Sequence, residues 1–491
     1  MHAAYFRELR PYSENEVRAE LAVGIDESRA IINALMNCGI VRYRTDDERN
    51  EEELLEADGA GTMQRYQFRY VGIVITHGHA IVCYPKYIRS TIRPESQMRQ
   101  VLNVIRKLGQ EDKLLDPQDG GAHSDQLALM IRLLCLYDEY GIYSSFEETR
   151  VLNGSGVIDW QRTIDMETPI ILNGAPIYLD LWTRKTRHDE EGIVRRLHKA
   201  MLSECSRFLA NSGLSSLLSI DTVELTDENS TDIGELEYLQ WLIDRERASQ
   251  FVTWKQEVLD LMRAYLAESG SDADRGRVLR LGTTSYYHAW EVACKVAFGD
   301  LLGHQLHELP IDLSDSWHGC NSETLMEIIP RPIWSRTRGM GNPRKVATLR
   351  PDIITFAEVR DRRLFCIYDA KYYVPSEREE IEGRPGVESI TKQFLYQSAY
   401  QRFVEDHDFS SVVNAFLVPT EEDVPKLLAS VSFPGVMSGA TGVSEKFSDY
   451  IDMWALPAHE VFDCYLQRQD IDSAVHKLML EQFDERLGTR S

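Results

Sequence analysis

The chain has 491 residues, of which 43% are hydrophobic and 27% charged, and its 78 acidic against 54 basic side chains leave a net charge of −24. That length exceeds what one hydrophobic core supports and predicts two or three domains. The composition is that of an ordinary globular protein, and the acidity excludes a chain that coats nucleic acid through bulk charge, though not one with a local basic groove.

Eight cysteines, at positions 38, 83, 135, 205, 294, 320, 366 and 464, form no CxxC pair and no His/Cys spacing of a zinc site. Scattered free thiols of this kind predict a reducing, cytoplasmic setting. The first ten residues hold Arg7, Arg10, His2 and Glu8 without an apolar core, so no signal peptide is expected. No run of about 18 apolar residues is found, so no membrane span is expected.

In chain order, residues 13–44 begin with Ser13 and a charged helical stretch. A second helical run over 28–38 stops at Gly39. The acidic run Asp46, Asp47, Glu48 and Glu51, Glu52, Glu53 reads as a solvated loop. Residues 65–88 predict a hairpin: "YQFRYVGIVI" alternates and then turns apolar, His77 and Gly78 make the turn, and "AIVCYPKYI" returns, with Pro85 closing the second strand. Amphipathic helices are expected over 96–108 and over 124–140, the latter with Leu127, Ile131, Leu134 and Tyr137 on one face. "DPQDGG" at 116–121 punctuates them.

Residues 141–182 read as irregular, with short strands. Helical periodicity returns at 190–211 and again over 232–268, where its length predicts two helices. "GSDADRGR" at 270–277 is the clearest linker and sets the expected main boundary near 270. The expected organisation is an N-terminal α+β domain over 1–170, a helical middle over 171–274 and a C-terminal domain over 275–491. No internal repeat is found.

The chemistry gathers in the C-terminal part. "LRPDIITFAEV" at 349–359 predicts a strand, Asp361 to Arg363 a turn, and "LFCIYDAK" at 364–371 a second apolar strand. Asp352 then starts one strand and Asp369 ends its antiparallel neighbour, so the two lie side by side. Residues two apart on a strand share a face, so Lys371 joins Asp369. Two carboxylates suit Mg²⁺, a hard cation that prefers oxygen ligands and retains waters. A neighbouring lysine can orient a nucleophile and offset charge on a phosphate. Phosphodiester hydrolysis needs such a group. The alternative is a strand-end aspartate acting as a cap or turn residue.

The flanks fit the same order. A helix over 285–302 buries Trp290, Ala293, Cys294 and Ala297, with Glu291 beside that stripe as an auxiliary metal ligand or as a surface partner of Lys295 at i+4. A helix over 388–405 aligns Gln393, Tyr396, Gln397 and Tyr400, toward the site or toward solvent, and 412–418 is the next buried strand. Residues 331–350 reverse the local charge with Arg331, Arg336, Arg338, Arg344, Lys345 and Arg350 and no acid. This segment is a phosphate clamp beside the site or a solvated loop. A second basic cluster, Arg184, Lys185, Arg187, Arg195, Arg196 and Lys199, is open to the same two readings.

These stretches resemble the LlaJI family of restriction endonucleases, whose nuclease part is similar to McrC-type PD-(D/E)XK subunits. The resemblance is carried by "YVGIVITHGHAIVCYPKYI" at 70–88, "PIYLDLWTRKTRHDEEGIVRRLHKAMLSEC" at 176–205, "YYHAWEVACKVAFGD" at 286–300, "LRPDII" at 349–354, "IYDAKYY" at 367–373 and "ITKQFLYQSAY" at 390–400. It implies a multidomain α+β and α/β chain whose C-terminal mixed sheet, flanked by helices, is a restriction-endonuclease-like core. It implies Mg²⁺-dependent cleavage of double-stranded DNA in a restriction-modification system, with cognate methyltransferases encoded nearby. Asp352, Asp369 and Lys371 match the PD…DxK positions. Glu291 fits the helix glutamate as a further ligand, and Gln393 the glutamine of the following helix. Arg336, Arg338, Arg344, Lys345, Arg350 and Tyr396 are the expected DNA contacts. No GxxxxGK[ST] loop is present, so a nucleotide requirement falls to a partner, for which the resemblance implies a McrB-like AAA+ GTPase. The rival readings are a modification-dependent or repair nuclease on the same core, and a non-catalytic DNA-binding or AAA+-adaptor subunit.

Overall fold

The computed structural model describes residues 3–44, 65–90, 93–115, 126–188, 192–269, 278–332, 348–375, 384–433, 446–447, 449–468 and 474–488. The chain forms two compact units that interleave along the sequence. The smaller takes residues 1–3, 75–80 and 121–281, and the larger takes 4–74, 81–120 and 282–491. The change of unit at 281–282 falls near the boundary expected at 270. Residues 4–74 and 81–120, however, group with the C-terminal part rather than with 121–170. The acidic run at 46–53 and the linker at 270–277 lie outside the described residues.

In the smaller unit, helices Gln126–Tyr140, Ile193–Ser212, Leu236–Ser249 and Thr253–Ser269 supply the core. Leu197, Met201, Cys205 and Leu209 recur every four residues and are fully buried, which is the apolar stripe of a helix packed on others. The helical run expected over 232–268 divides where Gln250 turns extended (φ −93°, ψ 131°). A β-rich segment between Gln126–Tyr140 and Ile193–Ser212 holds a three-stranded sheet with Trp182–His188 between Phe146–Leu152 and Val157–Ile158. It also contains a short helix, Trp160–Met166, that sequence periodicity did not mark. Its signal was the cap: the Asp159 side chain accepts from the Arg162 N–H.

The expected N-terminal hairpin is present as Val71–Thr76 and His79–Tyr84. His77 and Gly78 turn it with φ of 49° and 77°, the pair of positive values that a tight two-residue hairpin loop demands. Strand Ala4–Arg7 runs parallel beside the second arm, Ala4 opposite Ile81 and Arg7 opposite Tyr84.

The C-terminal part is a five-stranded mixed sheet. Its strands are β1 (Ile353–Val359), β2 (Arg362–Ala370), β3 (Ser411–Thr420), β4 (Lys426–Ser432) and β5 (Tyr450–Pro457), in the order β1-β2-β3-β5-β4. β2, β3 and β5 are mutually parallel, and the edge strands β1 and β4 are antiparallel to their neighbours. β3 and β5 are buried along nearly their whole length, as near-continuous apolar strands with both faces covered must be. Around the sheet lie helices α1 (Tyr286–Ala297), α2 (Val387–Ala399), α3 (Ala458–Gln467) and α4 (Ala474–Gly488). Ile354, Phe365, Ile367, Tyr400, Phe403, Phe409 and Val412 share one core cluster.

Two expected helices are shorter than the periodicity suggested. α1 stops at Ala297 because Gly299 adopts φ 59°, a left-handed ending that glycine accepts freely. The Leu301 N–H then donates to Ile354 O at 2.7 Å, turning the chain onto β1. The run over 388–405 breaks at Tyr400 (φ −95°, ψ 2°), with a separate helix, Gln401–Asp406, beyond it. The buried Tyr400 hydroxyl donates to Leu325 O at 2.9 Å, a tertiary bond that fixes the break.

Candidate active site

The β1–β2 hairpin closes through Arg360 and Asp361, whose φ values are 49° and 63°. Two positive values in a two-residue loop set the register: Val359 opposite Arg362, through to Ile353 opposite Tyr368. One step further, Asp352 stands directly across from Asp369. The Ala370 N–H donates to Asp352 Oδ2 at 3.1 Å and locks that carboxylate against β2. Lys371 Nζ lies 3.0 Å from Asp369 Oδ1 and 2.9 Å from Oδ2. Its backbone N–H donates to Leu417 O at 2.9 Å, which ties the end of β2 to β3. The hairpin therefore brings Asp352, Asp369 and Lys371 together.

Asp369 is 7% exposed. Burial pushes the Asp352 carboxyl well above the usual carboxylate range, and the hydrogen bond and charge of Asp369, then the charge of Glu291, push the same way; Lys371 opposes them. Burial disfavours charge on Lys371, yet the nearby charges of Asp369 and Asp352 together hold its ammonium above the usual lysine range. Two acids share one lysine, so an excess negative charge remains in a partly dry place. A proton on Asp352 or a bound cation relieves it.

The other expected site residues stand around this pair in different ways. Glu291 bonds Lys295 at 2.5 Å, the i+4 partner the sequence offered as the alternative, and reaches Asp352 through its charge. Among the described residues no three His, Cys, Asp or Glu side chains form a metal-holding group. Gln393 is fully buried. Its Nε2 donates to Ala415 O at 3.3 Å, and its Oε1 has no hydrogen-bond partner. The Tyr396 hydroxyl donates to Arg350 O at 2.9 Å. Burial first, then the charges of Asp369 and Asp352, push that hydroxyl up to about 12. Arg350 is exposed. Arg336, Arg338, Arg344 and Lys345 lie outside the described residues.

One positioning group escaped the sequence reading. Asp300 is largely buried, and its Oδ1 accepts the N–H groups of Ile354 and Leu302, each at 3.0 Å. It anchors β1 two residues from Asp352. The only available signal was an aspartate directly after the helix-ending Gly299.

The fold and this cluster define a mixed α/β protein with an acid pair and a lysine at the mouth of a β-hairpin. Residues 70–310 and 318–442 match the model of the LlaJI restriction endonuclease family, and the chain belongs to that family. It is 24% identical over 423 residues to the type II restriction enzyme BsuMI component YdjA of Bacillus subtilis, covering 82% of this chain and 81% of that one. It is also similar to a chain in a Thermococcus gammatolerans assembly of McrB AAA+ hexamers with bound McrC. That match has 12% identity and a TM-score of 0.39, over 95% of this chain and 99% of the other. A chain of the T. gammatolerans McrBC complex matches at 14% identity and a TM-score of 0.25, over 53% and 80%. Among the described residues no helix is long and apolar enough to cross a membrane.

Proposed function

We propose that this chain is the DNA-cleaving subunit of a restriction system, hydrolysing phosphodiester bonds of double-stranded DNA at Asp352, Asp369 and Lys371. The observation that carries the reading is the cross-strand acid pair with the lysine ammonium within hydrogen-bond reach, in a chain of a restriction endonuclease family. On this reading the five-stranded sheet with α1 and α2 is a PD-(D/E)XK core.

The donor set fits Mg²⁺, which binds through one or two carboxylates and keeps several waters. When bound there, Mg²⁺ supplies Lewis-acid polarisation of the phosphate and an acidified water. The chain's own residues do the rest. Asp352 and Asp369 would hold the ion, and the Ala370 N–H keeps the Asp352 carboxylate in place. Lys371 holds the nucleophile beside Asp369 and offsets the charge that develops on the phosphate. Glu291, which pairs with Lys295 here, would serve as an auxiliary ligand or as a water orienter. Gln393 supports the core from α2, while Tyr396 fastens the Arg350 carbonyl directly before Pro351 and Asp352. The basic segment with Arg336, Arg338, Arg344, Lys345 and Arg350 contacts the DNA backbone.

The sequence resemblance further implies a McrB-like AAA+ GTPase as the nucleotide-binding partner and cognate methyltransferases that protect host DNA. A second reading, a non-catalytic adaptor, draws on the pairing of Glu291 with Lys295 and on the lack of a third described carboxylate at the pair. Plasmid cleavage with Mg²⁺, with and without the partner GTPase and GTP, separates the two. The nuclease reading expects Mg²⁺-dependent cutting that Asp369→Ala abolishes while folding and DNA binding persist. An Asp369→Ala chain that cuts like wild type, or a wild type that never cuts, rejects it.

A further inference from the structure

The smaller unit carries a basic groove that the cleavage chemistry does not use. In its three-stranded sheet Arg184 lies directly across from Arg150, and Trp182 across from Leu152. Direct cross-strand partners share a face, with Cβ atoms about 5 Å apart, and like charges placed this way are destabilising. Trp182 is two residues from Arg184 and shares that face. Arg162, from the helix Trp160–Met166, lies over the Trp182 ring with its guanidinium carbon 4.6 Å from the centroid. Arg150, Arg162 and Arg184 line an open groove of about 430 Å³ together with Gln161, Asp159 and Asp165.

The acids of the groove do not neutralise it. Asp159 lies 3.3 Å from Arg150 and also accepts the Arg162 N–H as a helix cap. Arg184 is exposed and has no carboxylate partner among the described residues. The Arg162 Nε is buried with no hydrogen-bond acceptor. Three guanidinium groups against two carboxylates is a local reversal of sign in a chain of net charge −24. Two facing arginines and a third stacked on a tryptophan form a preorganised set of planar forks, and such forks match phosphate oxygens.

We propose that this groove binds the phosphate backbone of duplex DNA as a contact separate from the acid pair. It rests on the reading of the chain as a DNA-cleaving subunit and adds to it where the substrate is held. Backbone contacts fix the position of the duplex and carry no sequence information.

The test is binding of a labelled duplex by the full chain in EDTA, followed by fluorescence anisotropy over a range of salt. For Arg162→Gln/Arg184→Gln the affinity is expected to fall about tenfold, and the slope of log affinity against log salt to lessen by about 2. Arg184→Gln alone, at an exposed position, gives about half the change in slope and guards against misfolding of the double variant. Arg184→Lys keeps the charge but loses the planar fork, so it retains the salt slope and loses part of the affinity. Unchanged affinity and slope in both Gln variants, in a chain that still cleaves DNA, overturn the groove alone. A wild type with no salt-sensitive affinity for duplex overturns the groove and the cleavage reading together. Loss of a protein partner with DNA affinity intact overturns it in favour of an acidic protein surface.

Discussion

Asp352 accepts the backbone N–H of Ala370 at 3.1 Å, the residue next to its cross-strand partner Asp369. This bond makes the separation of the two acids a property of the hairpin register rather than of side-chain chance. Whatever alters the register alters the site.

Among the described residues Lys371 is the only basic side chain ion-paired with Asp369, and a quarter of it is exposed. Lys371→Ala leaves a buried carboxylate without its counter-charge, at about 1–3 kcal/mol. The full cost of breaking a deeply buried pair is larger. Chemical denaturation without metal is expected to show this loss, and added Mg²⁺ to recover part of it. Cleavage is expected to be lost even where Mg²⁺ restores the fold.

The Asp352 carboxyl is raised in the folded chain, so between the ordinary carboxylate range and its raised value the folded state holds a proton that the unfolded state has released. Stability of the metal-free chain therefore falls as pH rises through that window. Asp352→Asn is expected to remove this slope and to stabilise the metal-free chain at neutral pH, while ending cleavage. Calorimetry of Mg²⁺ binding in buffers of different ionisation enthalpy is expected to detect proton release, which Asp352→Asn abolishes.

His198 gives the opposite sign. Burial first, then Arg195, pushes its imidazole down to about 4, and its Nδ1 accepts the Tyr143 N–H at 3.0 Å. Below the unfolded value of about 6.5 the unfolded chain takes up a proton that the folded chain refuses. Stability is thus expected to fall between roughly pH 6.5 and 4, by up to about 3 kcal/mol from this group. Urea denaturation across that range is expected to show a shallower acid limb for His198→Gln.

The turn at Arg360 and Asp361 places two non-glycine residues at positive φ. Arg360→Asn/Asp361→Gly supplies the residues that such a loop favours and is expected to raise stability by about 1 kcal/mol. The register is unchanged, so cleavage is expected to be unchanged. A thermal melt and a cleavage assay check both.

Much of the site was legible because its signals are local. An apolar run beginning after Asp352, a short polar turn and an apolar run ending in Asp369 were enough to predict the hairpin and the convergence of the two acids with Lys371. The extent of the strands was less legible: the turn is two residues, Arg360 and Asp361, because positive φ at non-glycine positions leaves no compositional mark. Tertiary bonds were invisible. The break at Tyr400 depends on Leu325, and the anchoring of β1 depends on Asp300, both far away in sequence. The interleaving of the two units escaped for the same reason, since residues 4–74 join the C-terminal part through space. Gln393 and Tyr396 shared a helical row in the sequence, but only the structure shows each bonded to a backbone carbonyl.

The most direct test of the acid pair is the stoichiometry of Mn²⁺ bound to the full chain, read by the loss of the free-ion paramagnetic resonance signal. One tightly held ion per wild-type chain, absent in Asp352→Asn/Asp369→Asn with the fold intact, is the predicted result. The same tight site in the double variant would contradict it.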